Sequence, residues 1–434
     1  MDKNRKLKIA CSCTITMCLL VISLKYLTDL LELKGSDVKL LPFLEQTEDF
    51  DVLFMGSSHV ILSIFPMELW NDYGIVSYNM GGHGDRIPTT YWVLENALEL
   101  TTPRLVVIDC LYLNAEMKTN DIFSSTHRAF DAFPLNMTKL SAIHDLLDDP
   151  VMDQMMQDGT ARELRERTWM ELSWNYCIYH TRWNELSVSD FTIQCSKTKG
   201  AELKTVISMP NEYQKISAES KLEGETTGIQ YLRKMIEDCQ SRGIDVLLTY
   251  MPFPASEVDQ MDANRVYDIA AEYGVNYLNF LDMDIVDYNT DCYDADSHLN
   301  PSGGQKVTEY VGQYITEHYD IPDQRNNPAY SQWYEDYKEY STYKIDLLKG
   351  QESLDLYLML LADKNYDVEI EIYNPLIWEN EYYVKLLKNL GIDRETVTEN
   401  ATENNTDKNL ITDVRITVID KGAGEVIDQT DFTL

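Results

Sequence analysis

Gly56-Ser57-Ser58-His59 stands directly after the apolar run Val52–Met55, and Asp294-Ala295-Asp296-Ser297-His298 lies far downstream. A serine where a strand ends and a helix begins sits on the carboxyl edge of a sheet, the place where open α/β folds put their ligands. The first N–H groups of such a helix are open to an anion. A free hydroxyl is a poor nucleophile at neutral pH and needs a base with an orienting acid. The downstream Asp and His residues supply both types. The chemistry such a set performs is acyl transfer through a serine ester. His59 is set aside as the base, because adjacent residues rarely present their side chains to one another, and His83 reads as a loop residue.

The elements that must position these residues follow a strand–helix alternation. Apolar runs at Val52–Met55, Ile75–Asn79, Leu105–Asp109, Val246–Tyr250 and Tyr277–Phe280 read as parallel strands. Helical patterns at Tyr91–Leu100, Ile229–Arg242 and Ala263–Tyr273 separate several of them, so the expectation is βαβ units with helices on both faces. Residues from about 112 to 244 are far too many for an ordinary crossover. This mostly helical insertion is expected to overhang the serine as a cap. Within it, Tyr179-His180-Thr181-Arg182-Trp183 combines a cation with aromatics, so Arg182 and Trp183 stand either for substrate contact or for ordinary packing.

From Pro322 to about Tyr343 the chain turns polar and aromatic, and Asn326-Asn327-Pro328 reads as a linker. A small α+β unit follows, with helices at Ser353–Leu361 and Glu379–Leu390 and strands at Val368–Tyr373, Val414–Ile419 and Glu425–Thr433. The stretch 397–409, rich in Asn, Thr and Glu, reads as a loop. Three regions result: residues 1–45 with an anchor, 46–325 with the sheet, and 326–434 as an accessory region.

The net charge of −35 argues against nucleic acid, whose phosphates need clustered Lys and Arg, and favours solubility. The N-terminus differs in kind. Lys3, Arg5, Lys6 and Lys8 precede an uncharged run from Ile9 to Leu24, closed by Lys25. The run falls short of the roughly 20 residues that cross a bilayer, yet flanking lysines snorkel and Tyr26-Leu27 extends the apolar face. With no small-x-small cleavage site after it, it reads as an uncleaved single-pass anchor with its positive flank in the cytoplasm and the remainder outside. Cys11, Cys13 and Cys18 fall in the anchor. The other five cysteines have no metal-ligand spacing, and their odd number leaves at least one free thiol unless chains cross-link.

Together these residues resemble the SGNH/GDSL hydrolase family over about residues 48–320. Gly56-Ser57-Ser58 matches its first block, which makes Ser58 the nucleophile. Asn79-Met80-Gly81-Gly82-His83-Gly84-Asp85 matches the second, so the Gly84 and Ser58 N–H groups form the oxyanion hole. The third block departs: Gly-x-Asn-Asp is replaced by Asp109-Cys110-Leu111-Tyr112-Leu113-Asn114, and Asn114 is a weak candidate for the remaining donor. Asp296-Ser297-His298 has the Asp-x-His spacing of the DltD-like and alginate-acetylation branches, which favours Asp296 as the acid, with Asp294 second.

The resemblance implies a flavodoxin-like five-stranded sheet and a serine esterase or acyltransferase that needs no metal or other cofactor. It implies transfer or removal of acetyl or D-alanyl groups on a surface polysaccharide or teichoic-type polymer, beside a membrane-bound O-acyltransferase. Arg162, Arg165, Arg167 and Arg182 are the basic patch that a polyanionic acceptor would require. A non-catalytic scaffold of an envelope assembly is the alternative.

Overall fold

The computed structural model describes residues 3–31, 40–120, 124–155, 160–174, 176–188, 197–210, 213–295, 298–395 and 412–434. Strands β1 (Val52–Met55), β2 (Ser77–Asn79), β3 (Leu105–Asp109), β4 (Asp245–Tyr250) and β5 (Asn276–Asn279) form one parallel sheet in the order β2-β1-β3-β4-β5. That order is the flavodoxin-like one, with its switch point at β1 and β3. Alternate residues of β1 enter two separate cores. Leu53 and Met55 face one with Val106 and Ile108, while Val52 and Phe54 face the other with Leu105 and Val107. Burial on both faces explains why these strands read as unbroken apolar runs. The register Met55↔Ile108 brings the carboxyl ends of β1 and β3 level.

The insertion divides into two parts. Its helices Ser124–Phe130 and Met137–Leu147 pack on Ile87–Leu98, the helix after β2, and helix Thr160–Ser173 packs on Met137–Leu147. The return segment, residues 197–210, runs instead across the sheet edge. It donates from Glu202 N to Ile61 O (3.1 Å) and from Ser208 N to Cys292 O (3.0 Å), and Lys199 O accepts from Asn79 N (3.0 Å). The segment is thus a strap that bridges the loops at this edge, and helix Ser124–Phe130 reaches the same edge through Arg128, whose guanidinium donates to His83 O at 3.3 Å. Gly200 is required for the strap, since a Cβ there would stand 2.1 Å from Asn79 O.

The stretch expected to be a linker contains the 18-residue helix Gln332–Lys349. Trp333, Tyr340 and Leu348 are buried on one face, at helical spacing that the surrounding polar residues obscure. Trp333 packs on Trp70 with ring centroids 5.4 Å apart, which fastens the helix to the core on the Leu53 and Met55 face of the sheet. Beyond it, β6 (Tyr366–Ile372), β7 (Val414–Asp420) and β8 (Val426–Phe432) form an antiparallel sheet in that order, packed with helices Leu354–Leu360 and Glu381–Asn389 around a third core. The stretch 397–409 lies outside the described residues.

At the N-terminus, helix Lys3–Leu31 includes a 24-residue span, Arg5–Thr28, within which an 18-residue window has mean hydropathy 2.1 and no buried residue. At 1.5 Å per residue it measures roughly 36 Å, enough for the roughly 30 Å hydrocarbon layer of a bilayer. The seven described cysteines are free thiols, and Cys195 lies outside the described residues.

Lys344 joins the two halves of the chain. Its ammonium meets Glu68, before β2, and Asp363, before β6, and both carboxylates are buried. Burial opposes the Lys344 charge, but the two carboxylates outweigh it and raise its pKa. Removing one partner of a buried ionic group leaves uncompensated charge, which costs about 3–5 kcal/mol. Lys344→Met is accordingly expected to lower the urea midpoint by that amount of stability, and a midpoint within error of wild type would show the cluster to be neutral.

Candidate active site

Gly56 ends β1 with φ 155° and no room for a side chain: a Cβ would stand 2.6 Å from Val60 Cγ2 and 2.8 Å from Asp109 Cβ. The chain turns there into helix Ser58–Ser63. Ser57 is its N-cap, accepting from His59 N at 3.3 Å, so Ser58 begins the first turn. The Ser58 Oγ lies 2.7 Å from His298 Nε2. His298 Nδ1 lies 2.5 Å from Asp294 Oδ2, and the other oxygen of that carboxylate accepts from His298 N at 2.8 Å. With Nδ1 carrying its proton toward Asp294, Nε2 is left as the acceptor facing the serine.

The acid on His298 is therefore Asp294, the second choice of the sequence reading. Asp296, the first choice, lies outside the described residues. The reason for Asp294 is the loop that carries both partners. Cys292 and Leu299 form an antiparallel bridge, and Tyr293 N donates to His298 O at 2.9 Å, so the chain doubles back and folds Asp294 over His298. Asn300 closes the loop by donating to Thr290 O and accepting from Ser302 N at the start of helix Pro301–His318. The signal available in sequence was the i, i+4 spacing of Asp294 and His298.

The second block lies against the first. Gly82 N donates to Gly56 O at 3.0 Å, and Asn79 Nδ2 donates to Val60 O and Ile64 O at 2.8 and 2.9 Å. Asn79 thus clamps the serine helix rather than facing solvent. Among the described residues, neither the Ser58 nor the Gly84 N–H has a protein acceptor. Both are available to an oxyanion. Asn120, missed in the sequence, borders Gly84, whose Cβ would stand 3.1 Å from the Asn120 Nδ2.

Tyr112 has φ 68°, the left-handed conformation that favours glycine, two residues before Asn114 as in Gly-x-Asn. The Arg86 guanidinium lies over the Tyr112 ring at 4.0 Å. Asn114 N donates to Asp262 Oδ2 at 2.9 Å, which ties this loop to helix Glu257–Tyr273. Among the described residues, the hydrogen bond that fixes Asn114 does not run to Ser58 or Gly84.

The other histidines have defined places. His59 is buried between Ser57 Oγ and the Phe253 ring, its own ring 4.8 Å from that of His298. His83 Nε2 lies 2.8 Å from Glu202 of the strap. Arg182 and Trp183 are not brought to the serine: the Arg182 guanidinium lies on Leu31 O, at the end of the N-terminal helix, and Trp183 is exposed beside it. Arg162 and Arg167 pair within their own helix with Glu166 and Glu171, each at 2.9 Å.

No protein-family model and no curated protein matches the chain. Among solved structures, the chain is similar to that of a Bacteroides fragilis protein described provisionally as an acylhydrolase, at 11% identity and a TM-score of 0.31. The match covers 66% of this chain and 98% of that one. Likeness of that degree says nothing of chemistry, so the functional reading stands on the geometry around Ser58.

Beneath the site, Asp109 accepts from Met251 N at 2.9 Å while its Oδ2 is buried with no partner among the described residues. Burial lifts its pKa to about 7, against the lowering effect of the Met251 and Leu111 N–H groups. An unfolded aspartate titrates near ~3.9. Between the two values the native state holds a proton that the unfolded state has lost. The stability this group contributes is thus complete at acid pH and disappears as pH rises through the folded value. Asp109→Asn is expected to flatten the corresponding part of the curve of urea midpoint against pH; an unchanged slope would place the shifted group elsewhere.

Proposed function

We propose that the protein is an SGNH-type serine esterase or O-acyltransferase working through an acyl-serine intermediate. The Ser58 Oγ–His298 Nε2 contact of 2.7 Å, continued to Asp294, carries this reading. His298 takes the Ser58 proton as Oγ bonds to the acyl carbonyl carbon. The carbonyl electron pair moves to oxygen, facing the Ser58 and Gly84 N–H groups. Collapse breaks the bond to the leaving oxygen, which receives the proton from the imidazolium, and the acyl group remains on Oγ. A second hydroxyl, from water or a sugar, then repeats the cycle with His298 as base. Asp294 holds the imidazole in the required tautomer and stabilises its cation.

The membrane-length N-terminal helix supports an anchored enzyme on the outer face, and from there the substrate class is an O-acylated surface polysaccharide or teichoic-type polymer. A membrane-bound O-acyltransferase is the proposed source of acyl groups. The wider family resemblance runs through Ser58, Gly84 and His298, and the polymer substrate and acyltransferase partner are carried over from the DltD-like resemblance. Assembly of the serine, histidine and carboxylate in one hydrogen-bonded line weighs against a scaffold that has lost its chemistry.

Intact mass after a fluorophosphonate probe tests the serine. One adduct on the full chain, absent from Ser58→Ala and His298→Ala, is expected; an unlabelled folded wild type would favour the scaffold. Asp294→Asn is expected to lower the labelling rate by roughly 10⁴-fold, the loss seen when a triad acid is removed, whereas Asp296→Asn leaves it near wild type. The reverse ranking would return the role to Asp296. Supplying an acyl donor with polysaccharide distinguishes the two activities, since release of free acid alone would exclude the transferase.

A further inference from the structure

The chain has seven tryptophans, and they divide sharply. Trp70 and Trp333 are buried, and Trp92 and Trp378 pack against the cores. Trp169, Trp174 and Trp183 are exposed by 47%, 48% and 71%, with Met170 beside them at 52%. All the exposed tryptophans therefore fall within one short stretch of the insertion. Such side chains in water mark a surface that meets something else.

The position of that stretch indicates what it meets. The turn Tyr176–Tyr179 packs against helix Lys3–Leu31, and the Arg182 guanidinium bonds to the carbonyl of Leu31, the last described residue of that helix. Tyr179 O–H donates to Asp131 Oδ2 at 2.6 Å, and Trp174 stacks on Tyr176 at 5.6 Å, so the aromatic group is held to both the insertion and the helix end. The apolar span ends at Thr28, three residues before Leu31. At 1.5 Å per residue the contact stands roughly 5 Å beyond the span. The headgroup layer on each side of a bilayer is roughly 5–8 Å thick, and tryptophan concentrates there because its ring is apolar and its N–H is not.

We propose that the face bearing Trp169, Trp174 and Trp183 rests in the lipid headgroup layer where the N-terminal helix leaves the membrane. The insertion is then a second membrane contact, which holds the Ser58 site at a fixed height over the bilayer. This rests on the reading of Lys3–Leu31 as a membrane-spanning helix. That helix contains no tryptophan, so fluorescence reports on the insertion independently of the anchor.

The test reconstitutes the full chain into phosphatidylcholine–phosphatidylglycerol vesicles, with and without bromine on the upper acyl chain, and follows flotation and tryptophan emission. The expected result is co-flotation with a loss of emission in brominated vesicles. That loss should vanish in Trp169→Tyr/Trp174→Tyr/Trp183→Tyr, while the emission of the buried tryptophans in plain vesicles confirms folding. Should the triple variant misfold, Trp183→Phe alone is expected to reduce the loss. Flotation without quenching would overturn the proposal and leave the anchor standing, making the face a protein-docking surface. Quenching that persists in the triple variant, or is unaltered by Trp183→Phe, would also overturn it. Failure to float would overturn the proposal together with the membrane reading.

Discussion

At the carboxyl edge of the sheet, Gly56 lies so close to the neighbouring strand that a Cβ would stand 2.8 Å from the Asp109 Cβ. Parallel pairing with Met55 opposite Ile108 enforces that approach, and only glycine tolerates it together with φ 155°. The sharp exit from β1 follows, and with it the placement of Ser58 at the first turn of a helix rather than within the strand. Gly82 N then bonds to Gly56 O, which draws the second loop alongside. Asp109, on the other side, ties the ends of β3 and β4 through Met251. One steric constraint thus sets three loop origins at the same edge.

His298 arrives from the opposite direction on a loop of its own. Its loop is closed by the Cys292–Leu299 bridge and by Asn300, and it is buttressed from behind by the C-terminal unit. Lys306 bonds to the fully buried Asp291 at 2.7 Å and to Asn389 at 3.2 Å, and Asn389 donates to Thr290 at 3.0 Å. The accessory region that looked inert in sequence therefore braces the segment leading to His298. The strap of residues 197–210 completes the enclosure, touching the serine helix at Ile61, the second loop at His83 and the base loop at Cys292.

Much of the fold was legible because fully buried parallel strands leave contiguous apolar runs, and all five strands of the sheet appear where those runs lie. Ser58 and His298 were legible for a similar reason: a Gly-x-Ser after a strand and a histidine before a Pro-Ser-Gly-Gly helix start carry local chemistry. Helix Gln332–Lys349 was not, because its buried Trp333, Tyr340 and Leu348 are scattered among polar and tyrosine residues that resemble a linker.

What the sequence determined by itself was the set of short-range commitments: a strand that turns at Gly56, a serine at the helix start that follows, a histidine at 298 and an apolar N-terminal helix. Tertiary structure decided everything that depends on distance through space. It set Asp294 against His298, because a folded-back loop brings the fourth residue before His298 onto Nδ1. It set Tyr112 in a left-handed turn with the Arg86 guanidinium over its ring. It also set Arg182 on the carbonyl of Leu31 in a membrane-length helix, away from the expected substrate, since packing alone fixes which backbone carbonyl a guanidinium meets and no local pattern records it.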